Sequence, residues 1–410
     1  MPACGVYRMK FLNMPLSRDL EKAIDDAVDH ERVALAKLSH DIHANPELRF
    51  EEHKAARWIV DLLRARGFDV EHGLAGMSTA VRARKGNAKG PRVAILGEYD
   101  ALPEIGHACG HNLIATSAVG AFLAAASVVE RSGGEVVFLG TPAEEGGGGK
   151  IKMIEAGCFE GLAAAMMFHP FDRDVLAHPA LASVWLAMTF HGAPAHGAAA
   201  PHDGKSALTA CMDTFRLIDG QRVHFRDGVR VHGYITNGGQ AVNIIPELAA
   251  CEFSVRARDV AELARVRAIV ERCAAAAAMA SDVKVEIVAR QGYRDMRNNM
   301  AMARRFGAHL ETATADHGGR KAAEVDGRVG AGSTDMGDVS HVVPSIHPYL
   351  AIVDENEALC HQHRFAAAAG SDRGLETAYD AAKAMARTAI ELLTDEALRR
   401  TVHEEWRAGA

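Results

Sequence analysis

The sequence predicts an α/β protein: a mainly parallel, twisted sheet between helices, interrupted by an inserted α+β unit of ferredoxin-like pattern. Three observations carry this. Up to about residue 180, short apolar runs alternate with helical segments, the signature of strands joined by crossover helices. Near Ser183 the order changes to β-α-β-β-α-β, the split βαβ module. From Tyr293 onward the first pattern returns. The expected units are therefore 1–182 with 292–410, and an insert at 183–291. At about 150 residues per domain, a chain of 410 residues is long enough for two or three.

The elements follow in order. Ile24, Val28, Val33, Leu35 and Leu38 recur at helical spacing in Leu20–Ile42, and Pro46 stops that helix. Lys54–Arg66 is amphipathic through Trp58, Ile59, Leu62 and Leu63, with Gly67 as its C-cap. Val93–Leu96, Val136–Leu139 and Ala163–Phe168 read as strands, and Leu113–Val129 as a buried helix of small residues. In the insert, Ser183–His191, Val229–Ile235, Leu248–Arg256 and Val283–Val288 read as strands, and Ser206–Ile218 and Val260–Ala278 as helices. A loop-rich stretch, His317–Pro348, precedes a final helix, Gly374–Leu393.

Composition excludes several classes. An apolar share of 48% with 24% charged residues is incompatible with wholesale disorder. With 46 basic against 53 acidic side chains, the formal charge is −7 and there is no long basic run, so nucleic acid is not an expected partner. The 7 cysteines are scattered without CxxC spacing, which reads as reduced thiols. Met1–Leu20 lacks the apolar run of a signal peptide, and no run reaches the ~18 uninterrupted apolar residues of a membrane span. A soluble, cytoplasmic protein is expected. The 21 histidines are the unusual count.

Polar clusters follow three successive strands. The first strand leads into Glu98, Asp100, His107, Cys109 and His111; the second into Glu144, Glu145 and four glycines; the third into His169. In open parallel sheets ligands bind beyond the carboxyl ends of strands, so these clusters can converge. Each has a plain reading. Cys109 and His111 fit a buried thiol and a capping histidine, Glu144 and Glu145 fit solvated acids, and His169 fits a satisfied strand-end histidine. Together they supply enough Cys, His and carboxylate donors for two metals about 3.5–4 Å apart. The glycine run is not a phosphate loop, because Lys150 is followed by Ile151 rather than Ser or Thr.

With these residues assembled, the chain resembles the co-catalytic-metal aminoacylase/carboxypeptidase family. It is most similar to the amidohydrolase branch, with its hippurate, indole-acetyl-amino-acid and p-aminobenzoyl-glutamate hydrolases. The carrying motifs are residues 40–48 (HDIHANPEL), 100–103 (DALP), 107–111 (HACGH), 142–145 (PAEE), 168–169 (FH), 192–197 (GAPAHG) and 243–246 (NIIP). Residues 332–340 (GSTDMGDVS) and 346–348 (IHP) resemble its p-aminobenzoyl-glutamate hydrolase and dipeptidase-like members. The resemblance implies a lid and dimerisation role for the insert. It also implies two divalent ions, Zn or Mn, held by Cys109, His111, Glu145, His169 and His361, with His363 as a decoy. Glu144 is the implied general base and Asp100 a supporting acid that binds no metal. His196 is implied to reach the partner subunit's site in a homodimer, and Asn243 to contact substrate. Asn112 and Gln362 depart from the pattern, standing where Asp and Ser or Thr are usual.

The implied activity is cleavage of an N-acyl or aminobenzoyl amino acid or a dipeptide-like small molecule, with Glu144 assisting attack of a metal-activated water. Alternatives are a dipeptidase for β-alanyl-type substrates, an inactive metal-binding partner subunit, and a nucleotide-binding α/β protein. Among other histidines, His347 and His202 are open between substrate contact and loop structure, and His347 is a candidate substrate residue. His40 and His43 read as supporting or surface groups. His30, His53, His72, His309, His317 and His403 read as solvated. Arg256 and Arg258 read as surface residues rather than carboxylate binders.

Overall fold

The computed structural model describes residues 16–326 and 332–409. Cys4 and most of the amino-terminal stretch read for a signal lie outside the described residues. The first helix, α1 (Arg18–Ala44), is started by the Ser17 side chain accepting the Leu20 N–H and carries Asp19 and Glu21 in its first turn. Its buried stripe is Ile24, Val28, Leu35, Leu38 and Ile42, while Val33 faces out. Helix α2 (His53–Ala65) buries Ile59, Val60 and Leu63. Strands β1 (Val70–His72), β2 (Val81–Gly86) and β3 (Arg92–Gly97) follow; the first two escaped sequence reading.

Helix α3 (His111–Val128) is buried all round. The stretch His111–Arg131 is long and apolar enough to cross a membrane, yet 94% of its most apolar window is buried inside the fold, which accounts for its composition. After it come β4 (Glu135–Gly140), α4 (Gly149–Glu155), β5 (Ala164–Met166), β6 (His169–Phe171) and β7 (Val175–Ala177). The main sheet has the order β1-β2-β4-β3-β5 and a sixth strand from later in the chain. Its centre is parallel, β3 pairing with both β4 and β5, while β2 joins β4 antiparallel and carries β1, also antiparallel, at the edge. The third expected strand is a correction. It ends at Met166, and His169 begins β6 in a different sheet.

The insert comprises β8 (Ala182–His191), α5 (Ala207–Gln221), β9 (Arg230–Asn237), β10 (Leu248–Ala257), α6 (Val260–Ala280) and β11 (Lys284–Arg290). The sheet is antiparallel with order β11-β8-β10-β9. Ser206 and Asp259 cap the two helices by accepting the N–H groups of Thr209 and Glu262. Val184, Leu186, Met188 and Phe190 of β8 meet Phe253 and Val255 of β10 and Val266 and Val270 of α6 in a core separate from the main one. Where the chain enters and leaves, Ser183 and Tyr293 exchange backbone hydrogen bonds at 2.8 and 3.1 Å.

The remaining elements are α7 (Met300–Ala313), β12 (Ala323–Val325), α8 (Met336–Ser340), β13 (Ser345–Ile346), β14 (Tyr349–Ala351), α9 (His363–Ala369), α10 (Asp372–Thr394) and α11 (Glu396–Ala408). Strand β13 completes the main sheet beside β5, and β12-β7-β14-β6 form a third sheet. Helix α10 packs on α1, α3 and α7, and its buried Arg387 pairs bidentately with Asp25.

His309 corrects the solvated reading. It is buried, with Nε2 2.8 Å from Glu391 Oε2, and Arg305 holds the same carboxylate. Burial pushes the Glu391 carboxyl up, but the hydrogen bonds from His309 and Arg305 outweigh it and hold it below 4.5, its ordinary value. A depressed carboxyl stabilises the fold above its unfolded-state value, and that stability is lost as pH falls through the folded value. Glu391→Gln is therefore expected to cost about 3–5 kcal/mol near neutral pH. The cost should vanish in acid, as checked by denaturant unfolding along a pH series.

Candidate metal centre

Beyond β3 the chain turns Glu98, Tyr99 and Asp100 into the interior, where all three are buried. Asp100 faces two loops at once. Its Oδ1 accepts from His111 Nδ1 at 3.0 Å, and its Oδ2 accepts the Glu145 N–H at 2.9 Å. A carboxylate only accepts, so Nδ1 carries the proton and Nε2 is the outward ring nitrogen. That Nε2 is buried without a hydrogen bond, 3.4 Å from Glu98 Oε2. Burial opposes charge on the ring, but Asp100, Glu98 and Glu145 outweigh it and hold the His111 imidazole well above its usual pKa.

Gly110 makes the Cys109-to-helix turn. Its φ is +73°, and a Cβ there would lie 2.8 Å from Pro170 Cγ, so only glycine fits. His111 is thereby the first residue of α3. After β4, Ala143 has φ +61° and the chain folds back so tightly that a Cβ on Gly149 would sit 1.8 Å from Pro142 O. This turn presents Glu144 and Glu145 side by side. Tyr293 locks it: its hydroxyl donates to Glu144 O at 2.5 Å and accepts the Gly146 N–H at 3.1 Å.

The acids resist sharing charge. Burial, then Glu98, Glu145 and Asp335, push the Glu144 carboxyl well above the usual range, and burial also raises Glu145. The Cys109 thiol is pushed up by its hydrogen bond with Cys360, then by burial and Glu145. His169 donates from Nδ1 to Pro170 O at 2.7 Å, which leaves Nε2 free, and burial takes its pKa down to about 3.

Two donor groups form. Cys109, Glu145 and His361 offer ligand atoms all within 4.8 Å of one another, and so do His111, Glu144 and Glu145. Glu145 belongs to both. The His361 N–H bonds to Ala108 O at 3.0 Å, and its Nε2 lies 3.7 Å from Glu145 Oε1. His169 stands beside them, its ring 6.2 Å from that of His111 and edge-on. Buried carboxylates, an unpartnered imidazole nitrogen and a thiol at this spacing fit a pair of divalent cations.

Cys109, Glu144, Glu145, His169 and His361 line one cavity of about 840 Å³, with Trp185, Arg256 and Tyr293 of the insert and its exit on the facing wall. Arg256 is thus half-buried in the cavity wall, a correction to its surface reading, whereas Arg258 is exposed. His347 is buried behind His169 with neither ring nitrogen hydrogen-bonded, and it is not among the cavity-lining residues. The segments carrying His196 and Asn243 run side by side, His196 bridging to Ile244 and the Gly197 N–H donating to Asn243 O at 2.9 Å. Both are exposed on the insert and neither lines the cavity. Asn112 turns away, donating to Ser39 Oγ and Ala369 O. Gln362 accepts the Leu359 N–H.

Sequence reading missed Lys150, Tyr293 and Asp335 as parts of this site, and gave Glu98 no role within the cluster it named. Glu98 carried a signal, an acid directly after an apolar strand. Lys150 did too, as a cation opening the apolar run of α4.

Residues 94–390 match the family model described as peptidase family M20/M25/M40. The Xaa-Arg dipeptidase of Mus musculus is 36% identical, the match covering 96% of this chain and 92% of that protein. A p-aminobenzoyl-glutamate hydrolase polypeptide of Escherichia coli (strain K12) is 33% identical over 66% of this chain and 60% of its own length. Among solved structures, an aminobenzoyl-glutamate utilization protein from Klebsiella pneumoniae superposes with a TM-score of 0.69 at 17% identity, covering 91% of this chain and 99% of its own. A dinuclear metal binding peptidase of the M20 family from Bacillus subtilis gives 0.66 at 21%, covering 90% and 100%. At such identities these two speak to the fold.

Proposed function

The chain belongs to peptidase family M20/M25/M40 and is a metal-dependent amide hydrolase, and from that premise we propose that it splits N-acyl amino acids or dipeptide-like substrates at a two-metal site. The observation that carries this reading is Glu145 shared between two donor groups, with Glu144 beside it at the cavity wall. Charge supports it as well. Glu98, Asp100, Glu144 and Asp335 surround one ammonium, Lys150, and Glu145 adjoins Glu144, an excess of acids that two divalent cations offset. Cys109, His111, Glu145, His169 and His361 would hold the ions; softness admits zinc through the thiol and imidazoles, and manganese through the carboxylate and imidazoles.

When bound, the ions acidify a water and polarise the amide carbonyl. Glu144 takes the proton of that water, and burial among other acids gives it the raised proton affinity a base near neutral pH needs. It then returns the proton to the departing amine, so one carboxyl serves both steps. Asp100 and the Pro170 carbonyl fix the tautomers of His111 and His169. The cavity volume suits a substrate of dipeptide size.

The reading extends to a homodimer built through the insert, which serves as lid. In support, β9 is an edge strand with most of its residues exposed, and Tyr234, Ile235, Val242 and Ile244 are large apolar side chains left exposed on the insert. His196 Nδ1 accepts the Ala198 and Ala199 N–H groups, which directs Nε2 outward as a donor.

The test is metal analysis with a panel of N-acyl, aminobenzoyl and dipeptide substrates. About two equivalents per chain and amide hydrolysis are expected; no metal after reconstitution, or no hydrolysis across the panel, overturns the reading. Chelation should abolish turnover and lower the melting temperature, and re-added metal at 100 times its dissociation constant should restore about 2.7 kcal/mol. Calorimetry with and without metal checks this.

A further inference from the structure

Lys150 has no contact with solvent, yet it is an ammonium beside the site. Its Nζ donates to Glu98 and, at 2.7 Å, to Asp335 Oδ1, while its backbone N–H donates to Asp335 Oδ2 at 3.0 Å. Each partner belongs to a different part of the fold. Glu98 follows β3, Lys150 sits in the first turn of α4, and Asp335 immediately precedes α8. The other oxygen of Glu98 faces His111 Nε2 at 3.4 Å. The turn carrying Glu144 is therefore fastened at both ends, by Glu145 N–H on Asp100 and by Lys150 on Asp335 and Glu98. Lys150 itself does not line the cavity.

We propose that Lys150 is a positioning residue for amide cleavage: it braces the Glu144–Glu145 turn against Glu98 and Asp335, so that the base keeps its place relative to His111 and the substrate carbonyl. A chain without the brace still binds substrate through the cavity walls, but it holds the base loosely. Loss of about 1 Å of placement costs about 10²-fold in rate. A buried lysine that merely balanced charge would be dispensable once one of its carboxylates was removed with it.

The experiment compares Lys150→Met with the double variant K150M/E98Q, which leaves the net charge of the trio unchanged. Melting temperature, metal content per chain, kcat and KM are measured for each. A fall in kcat of about 10²-fold with KM within about threefold and metal content kept, in the single variant and again in the double, supports the brace. Wild-type kcat in either folded, metal-loaded variant overturns it. So does failure of both to fold, since Lys150 is then a stability element alone. The proposal rests on Glu144 as the base, and Glu144→Gln run alongside separates the two: an active E144Q fails that assignment whatever the Lys150 variants do.

Discussion

Glu144→Gln should lower turnover by about 10²–10⁴-fold, the usual worth of a placed proton acceptor, while metal content and fold stay as they were. The substitution is nearly isosteric, and it removes a carboxyl that burial and three neighbouring acids already disfavour as a charge. The metal-free variant should therefore be more stable near neutral pH than the metal-free wild type, while the metal-loaded variant loses its activity. Opposite movement of stability and rate is the mark of a group kept for chemistry at a cost to the fold. Steady-state kinetics of the metal-loaded variant and thermal melts of its metal-free form check it; near-normal turnover sinks the assignment. A parallel fall in both would mean that the carboxylate holds the turn together instead.

His196→Ala should cost about 10²–10³-fold in kcat, the measured worth of one donor to a developing oxyanion, with dimers intact. The side chain lies exposed on the insert and away from the cavity of its own chain, so truncation removes little packing. If it serves the partner, E144Q and H196A chains complement each other. In a mixed dimer, the site on the H196A chain has its own Glu144 and receives His196 from the E144Q chain. Random exchange of equal amounts leaves about one site in four complete. Recovery of activity on mixing is expected. Two inactive parents that stay inactive after verified exchange would place His196 in its own subunit's chemistry or outside chemistry altogether.

The long elements were legible because burial repeats along them. Apolar steps of three and four marked α1, and alternation marked β8. The clustered donor residues were legible for a different reason: they sit in short runs at strand ends, where Cys109 with His111 and Glu144 with Glu145 are neighbours in sequence. What escaped depends on distant partners. His309 lies among charges in sequence, but its carboxylate is 82 residues on, at Glu391. Lys150 meets Glu98 and Asp335 at separations of 52 and 185. The strands β6, β7 and β12–β14 span two or three residues each, too few for any period to show.

The crossing at Ser183 and Tyr293 bears on how this chain folds. These residues are 110 apart in sequence, and closing a disordered loop of that length costs about 4 kcal/mol in chain entropy, before constants. The insert removes most of that cost. Its first strand, β8, and its last, β11, are neighbours in one sheet, with Trp185 opposite Arg290. Once the insert has condensed on its own core, its two ends leave side by side. The halves of the catalytic unit then meet as though a short hairpin joined them. Mutations that loosen β8 against β11 should therefore slow assembly of a main sheet they do not touch.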